Sequence, residues 1–225
     1  MSDDAAHSRR SHAERRAETI ELILNATLDA IVELGLRNAT TGEICRRAGV
    51  SPGAVFHHFE TRQDVIVAAV EHHLSHRRVR FNEMVESLRS RDAEMVDPRE
   101  LLRILRSITR EPRAMVWLEV LMETRTDSEL RKRITPTLIR QRDLFRAAGE
   151  LHSGLSSMPE SARFAWLELL RNVIHGESIW EQLDPHPELA EPKIDALLAL
   201  AVHLGATPPP VRVSSCGSRG LIVGG

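Results

Sequence analysis

Apolar residues recur at three- and four-residue spacing along most of this chain, and no stretch alternates with period two for long enough to make a strand. The pattern predicts an all-α protein of about nine helices. From about Ala13, the positions Ile20, Ile23, Leu24, Thr27, Leu28, Ile31 and Leu34 form one stripe, and Gly35 directly after them suits a helix C-cap. Thr41 is placed to cap a short second helix whose inward positions are Ile44, Cys45 and Ala48. Gly49 and Val50 make a turn. Ser51 as N-cap and Pro52 at the first helical position open a third helix to about Phe59, with Val55, Phe56 and Phe59 as candidate core contacts. Thr61 caps a fourth helix, which carries Val65, Ile66, Ala69, Val70 and Leu74 and runs to about Leu88.

Start and stop signals continue beyond a polar break from Arg91 to Val96. Asp97, Pro98 and Glu100 open a helix bearing Leu101, Leu102, Ile104, Leu105 and Ile108. Glu111 and Pro112 lead into another, from Ala114 to Glu123. From about Ser128 to Ala148 the pattern is helical, with Pro136 predicted to kink or split it. A loop is predicted from Gly149 to Ser156. Ser157, Pro159 and Glu160 open a long apolar helix to about Leu183; Pro185 and Pro187 break it, and Pro192 opens a last helix ending near His203. Met1 to about Arg10 is polar, and Thr207 to Gly225 is rich in Pro, Gly and Ser; both ends are predicted to be disordered.

Composition narrows the function classes. A chain of 225 residues buries one large core or two modest ones. The formal net charge is −2, so nucleic-acid binding must be a local property. Cys45 and Cys216 are far apart and make neither a disulfide framework nor a zinc motif. No apolar run approaches a membrane span and the N-terminus has no signal-peptide core, so a soluble cytoplasmic protein is expected. His57-His58 and His72-His73 are adjacent pairs, and His72 and His76 stand four apart, but no Cys or carboxylate completes a metal set. No metal and no cofactor are expected. Nor is there a nucleophile elbow, a phosphate loop or an HExxH motif, so the chain does not read as an enzyme.

The stretch from Thr40 to Arg62, TTGEICRRAGVSPGAVFHHFETR, carries the chemistry. Two short helices joined by a glycine turn form a helix-turn-helix, whose second helix enters the major groove by its N-terminal end. Pro52, Gly53 and Ala54 are small enough to let backbone approach base edges. Thr41 and Ser51 place hydroxyls where phosphates would flank them, and His57, His58 and Arg62 are candidate donors to backbone oxygens.

With its flanking helices, the region from about Arg16 to His76 resembles the DNA-binding domain of the TetR family of bacterial transcription regulators. The matching words are Thr40-Thr41, Arg47-Ala48-Gly49-Val50-Ser51, Gly53-Ala54-Val55-Phe56-His57-His58-Phe59 and Thr61-Arg62. The resemblance implies phosphate contacts from Thr41, Ser51, His57, His58 and Arg62, with Pro52, Gly53 and Ala54 nearest the bases. Two positions depart from the family pattern: Pro52 stands where Lys is common, and Phe56 where Tyr is common. Each removes a familiar phosphate donor, which shifts the expected burden to Arg46, Arg47 and an N-terminal arm with Arg9, Arg10, Arg15 and Arg16.

The same resemblance implies a C-terminal body that binds a small ligand and pairs with a second copy. The expected plan is a basic arm over 1–12, a DNA-binding head over 13–80, a ligand-binding and dimerisation body over 81–206 and a tail over 207–225. Candidate pocket residues are Leu105, Met115, Trp117, Leu118, Leu121, Met122, Leu138 and Phe145, with Arg113, Glu119 and Arg140 as nearby polar groups that are more simply solvated. Candidate dimer contacts are Trp166, Leu170, Val173, Ile174, Leu197, Leu198 and Ala201. The function expected is a repressor that binds a palindromic operator as a homodimer and is released by an apolar or amphipathic effector. The alternative is a helical ligand-binding or assembly protein that has lost DNA binding.

Overall fold

The computed structural model describes residues 12–89, 96–152 and 154–207. The expected tail beyond Thr207, Cys216, and Arg9 and Arg10 of the expected arm lie outside them, as does most of the polar break. The described residues form nine α-helices and no strand: α1 His12–Leu34, α2 Thr41–Ala48, α3 Pro52–His58, α4 Arg62–Arg89, α5 Pro98–Thr109, α6 Ala114–Glu123, α7 Ser128–His152, α8 Glu160–Leu183 and α9 Ala190–His203. Arg15 and Arg16 are exposed residues in the first turns of α1.

Local chemistry sets most of the boundaries. α1 ends where Gly35 turns to φ 79°, left-handed backbone that favours glycine. The N-cap of α2 is Thr40 rather than Thr41: its extended backbone lets its hydroxyl accept from the Glu43 N–H, while Thr41 already has helical geometry. Ser51 caps α3 by accepting from the Ala54 N–H at 3.2 Å. α4 starts with a reciprocal capping box, in which the Asp64 N–H donates to the Thr61 hydroxyl and the Thr61 N–H to the Asp64 carboxylate at 2.9 Å. Asp97 caps α5, and Asp127 caps α7 by accepting from the Leu130 N–H at 2.8 Å. α9 begins at Ala190, two residues before the predicted start at Pro192.

Pro136 neither breaks nor splits α7, which runs unbroken to His152 and takes in part of the predicted loop. Tertiary ties override the local penalty. Leu130 and Ile134 before the proline are buried, and Thr137 after it is buried and donates to the Glu71 carboxylate of α4 at 2.5 Å. Arg140 pairs with that same carboxylate.

The head has a small core of its own, with Ile23, Ala26, Ile44, Cys45, Ala48, Val55 and Val65. The larger core crosses from head to body, taking Leu28 and Ile31 from α1, Ile66 and Leu74 from α4, Trp117 and Val120 from α6, and Leu130 and Ile134 from α7. The predicted head–body boundary near residue 80 falls inside α4. Polar ties reinforce this joint. Arg113 bridges to Asp29 at 2.7 Å and Asn25 at 2.9 Å, and the Leu36 N–H donates to the Glu119 carboxylate at 2.8 Å. Arg113, Glu119 and Arg140, expected to be solvated, are therefore struts between elements. A third core joins α5, α8 and α9, with Leu102, Trp166, Leu170, Ile174, Ile194, Leu197 and Ala201. Beside it, buried Arg106 reaches Glu177 at 2.7 Å and Glu181 at 3.2 Å.

Candidate nucleic-acid interface and effector cavity

The turn between α2 and α3 forms because Gly49 takes φ 67° and lets the α2 carbonyls close on the turn: the Gly49 and Val50 N–H groups both donate to the Cys45 carbonyl. Val55 is fully buried and anchors α3 to the head. The opposite side of α3 is solvent-facing, with Ser51, Pro52, Gly53, Phe56 and His57 exposed, Ala54 and His58 half-buried, and Thr41 half-buried at the start of α2. The structure brings these residues together on one face. Phe56, expected in the core, is 53% exposed, because Val55 already takes the inward position on so short a helix. The His58 ring is pushed below the ordinary histidine pKa, first by burial and then by the charges of His57 and Arg16.

Two of the three candidate arginines differ from the sequence reading. Arg62 donates through Nε to the Ala39 carbonyl at 3.0 Å and through Nη2 to the Leu36 carbonyl, so it holds the α1–α2 loop against α4 rather than pointing freely outward. Arg47 is mostly covered and lies between Glu43 at 2.6 Å and Glu33 at 2.8 Å. Arg46 is exposed and paired with Glu43 at 2.6 Å, an intrahelical pair that a phosphate can replace at small cost. The Glu43 carboxyl is held down to about 2 by the hydrogen bonds from Arg46 and then Arg47.

The body holds a partly open cavity of about 540 Å³ between α4, α5, α7, α8 and α9. Of the predicted pocket residues, Leu105, Trp117, Leu138 and Phe145 line it. Met115, Leu118, Leu121 and Met122 do not: Leu118 and Leu121 pack on the head–body core, Met115 is half-buried, and Met122 is 66% exposed. The sequence reading missed the walls supplied by α4 (Leu74, Arg77, Phe81, Val85) and α8 (Trp166, Leu170, Ile174, His175). Trp166, Leu170, Ile174, Leu197 and Ala201, expected at a dimer interface, are instead buried in the chain's own core, where the Trp166 indole donates to the Leu197 carbonyl at 3.1 Å. Half-buried Val173 and Leu198 pack at the edge of that core. The outward stripe of α8 is a different set: Leu169, Gly176, Trp180 and Leu183, with Trp180 68% and Leu183 75% exposed. A Cβ added at Gly176 would meet nothing within 4 Å.

Among the described residues no group of three or more His, Cys, Asp or Glu is arranged to hold a metal ion, and no helix is long and apolar enough to cross a membrane. The His72 and His76 rings, suggestive in sequence, lie against each other with centroids 4.3 Å apart.

A helix-turn-helix presented on a small helical head and fused by a shared core to a hollow helical body defines a DNA-binding regulator. Residues 23–69 match the model for bacterial regulatory proteins of the TetR family. An HTH-type transcriptional regulator of Mycobacterium tuberculosis is 33% identical over 191 residues, covering 85% of this chain and 96% of that protein. The chain belongs to the TetR family and is a transcriptional regulator, not an enzyme. Solved structures agree at the level of fold. A transcriptional regulator from Rhodococcus sp. superposes with a TM-score of 0.65 at 23% identity, over 84% of this chain and 99% of that one. A TetR-family regulator from Cytophaga hutchinsonii gives 0.64 at 13% identity, over 89% and 100%.

Proposed function

We propose that this protein is a ligand-responsive repressor that binds a near-palindromic operator as a homodimer and leaves it when a small apolar or amphipathic effector enters the body. The observation that carries the reading is the cavity of about 540 Å³, a size that suits a small molecule, walled in part by α4. α4 follows the recognition helix directly, and its first half belongs to the core shared with the head. An occupant that displaces α4 therefore re-aims α3. Only an effector with different affinity for the two arrangements shifts DNA binding.

Phosphate contacts fall to Thr41, Ser51, His57, His58 and Arg46, while Pro52, Gly53, Ala54 and exposed Phe56 face the base edges. Phe56 suits apolar contact with a thymine methyl. Arg47 and Arg62 position the head. A second copy would meet the outward stripe of α8, where Leu169, Trp180 and Leu183 form an apolar face. Gly176 would allow close approach there.

Sedimentation combined with gel shift on DNA from beside the protein's own gene tests the reading. Two chains per operator, a log–log salt slope showing several phosphate contacts, and release by a cavity-binding compound are expected. Trp180→Glu should give monomers with weak operator binding. Salt-independent or absent DNA binding by a folded chain that still binds ligand would contradict the reading and support a helical ligand-binding protein.

A further inference from the structure

The cavity walls supply hydrogen-bond donors and positive charge in excess of acceptors. Arg77 and Arg78 line it from α4, Arg142 from α7 and Arg171 from α8, whereas Glu86 is the one carboxylate among the described lining residues. Arg77 is half-buried, and no carboxylate of the described residues lies within ion-pair distance of it. Arg171 gives one nitrogen to Glu168, but its Nε is buried with no acceptor. The Trp117 indole N–H, on the same cavity, is also buried without an acceptor. Buried donors without partners carry a desolvation cost that an incoming acceptor relieves. The rest of the wall is apolar: Phe81, Leu102, Phe145, Leu170 and Ile174 among others.

We infer that the molecule this cavity takes is an amphipathic anion, an apolar body with one oxyanion head, the head received between Arg77 on α4 and Arg171 and His175 on α8. The inference rests on reading the cavity as the effector site and gives that effector a chemical class. All three groups line the one cavity. Burial holds His175 down to about 4, and the positive charges of Arg77 and Arg171 are the next causes. An oxyanion placed there accepts from the neutral His175 ring as well as from the arginines, and Arg77 and Arg171 offer fork-shaped donors matched to it. An apolar cation would meet this field as repulsion. A neutral apolar molecule would leave the donors unsatisfied. Because the head would bridge α4 and α8, its arrival bears directly on the helix that carries the recognition element.

Calorimetric titration of the full chain, at pH 7.5 and below micelle concentrations, distinguishes these. The probes are decanoate, decyl sulfate, decanol and decyltrimethylammonium. At least one of the two anions should bind ten-fold or more tightly than decanol, with the ammonium weakest; which anion wins identifies the oxyanion. Arg77→Gln should reduce anion binding to the level of decanol, and Arg77→Lys should retain most of it. If either glutamine or lysine variant fails to fold, the probe series on the unaltered chain still decides. Decanol or the ammonium binding as tightly as both anions, or no binding of either anion, would overturn the inference. A gel shift with the same probes separates it from the functional reading. Release of DNA by decanol or the ammonium but not by an anion leaves the effector reading standing and the anion class refuted. Tight anion binding with unchanged DNA affinity keeps the anion site and refutes its role as the effector site.

Discussion

Glu43 sets how much positive charge the recognition face offers. Its carboxylate accepts from Arg46 at 2.6 and 2.8 Å and from Arg47 at 2.6 Å. Because those bonds hold its pKa near 2, it remains charged and paired through the neutral range, and only a competing phosphate displaces it. Glu43→Gln weakens this hold. The expected outcome is several-fold tighter binding to DNA of any sequence, with the log–log salt slope steeper by about one contact; unchanged affinity and slope in a fluorescence anisotropy titration would show that Arg46 plays no part in DNA contact. Phe56 belongs to the same scale. The sequence shows an aromatic residue where the family commonly has tyrosine, but on a helix of seven residues the apolar pattern does not say which of Val55 and Phe56 faces inward. The buried Val55 settles it.

At the scale of elements, the sequence was most legible where a local interaction sets a boundary. Gly35, Gly49, Ser51, Thr61 and Asp97 all stand at predicted starts or stops, because each acts through neighbours within a turn. It was least legible where distant contacts decide. α7 passes through Pro136 because Glu71, far away in sequence, holds the segment beyond it. α8 is apolar on several sides, so spacing alone does not distinguish the side that walls the cavity from the side left outward, and Trp166, expected at a dimer interface, is buried while Trp180 is exposed. Half of the predicted pocket residues line the cavity, and many of those missed come from α4 and α8, helices read for other roles. If packing rather than propensity maintains α7, then Pro136→Ala should restore the missing backbone hydrogen bond without moving the helix. An increase of about 1–3 kcal/mol in unfolding free energy is expected from urea denaturation; a decrease would mean that the proline fits a bend the packing needs.

At the scale of the whole molecule, head and body share one core, and the histidines beside it make stability depend on pH. His73 is 8% exposed. Its pKa is held near 4 by burial first, then by Arg77, Arg113, His72 and His76. His175 is held near 4 as well. An unfolded histidine titrates near 6.5, so between pH 6.5 and 4 the unfolded chain binds more protons than the folded one. The stability contributed by keeping these rings neutral is complete above 6.5 and is lost as pH falls towards 4. A few kcal/mol at most should disappear across that window. The urea midpoint should fall between pH 7 and pH 4.5, and His73→Leu should flatten the fall; an unchanged slope in that variant would place the effect elsewhere. Since both rings lie near Arg77, the same positive region that draws an anion to the cavity also weakens the joint in acid.

Binding-site selection from random duplex DNA by the full chain, followed by footprinting of the selected sequence, tests the central claim most directly. The account predicts a near-palindrome with two protected half-sites about one helical turn apart, and loss of selection when Gly53 or Ala54 is enlarged. Enrichment of no sequence, or a footprint from one half-site that is indifferent to those substitutions, would contradict it.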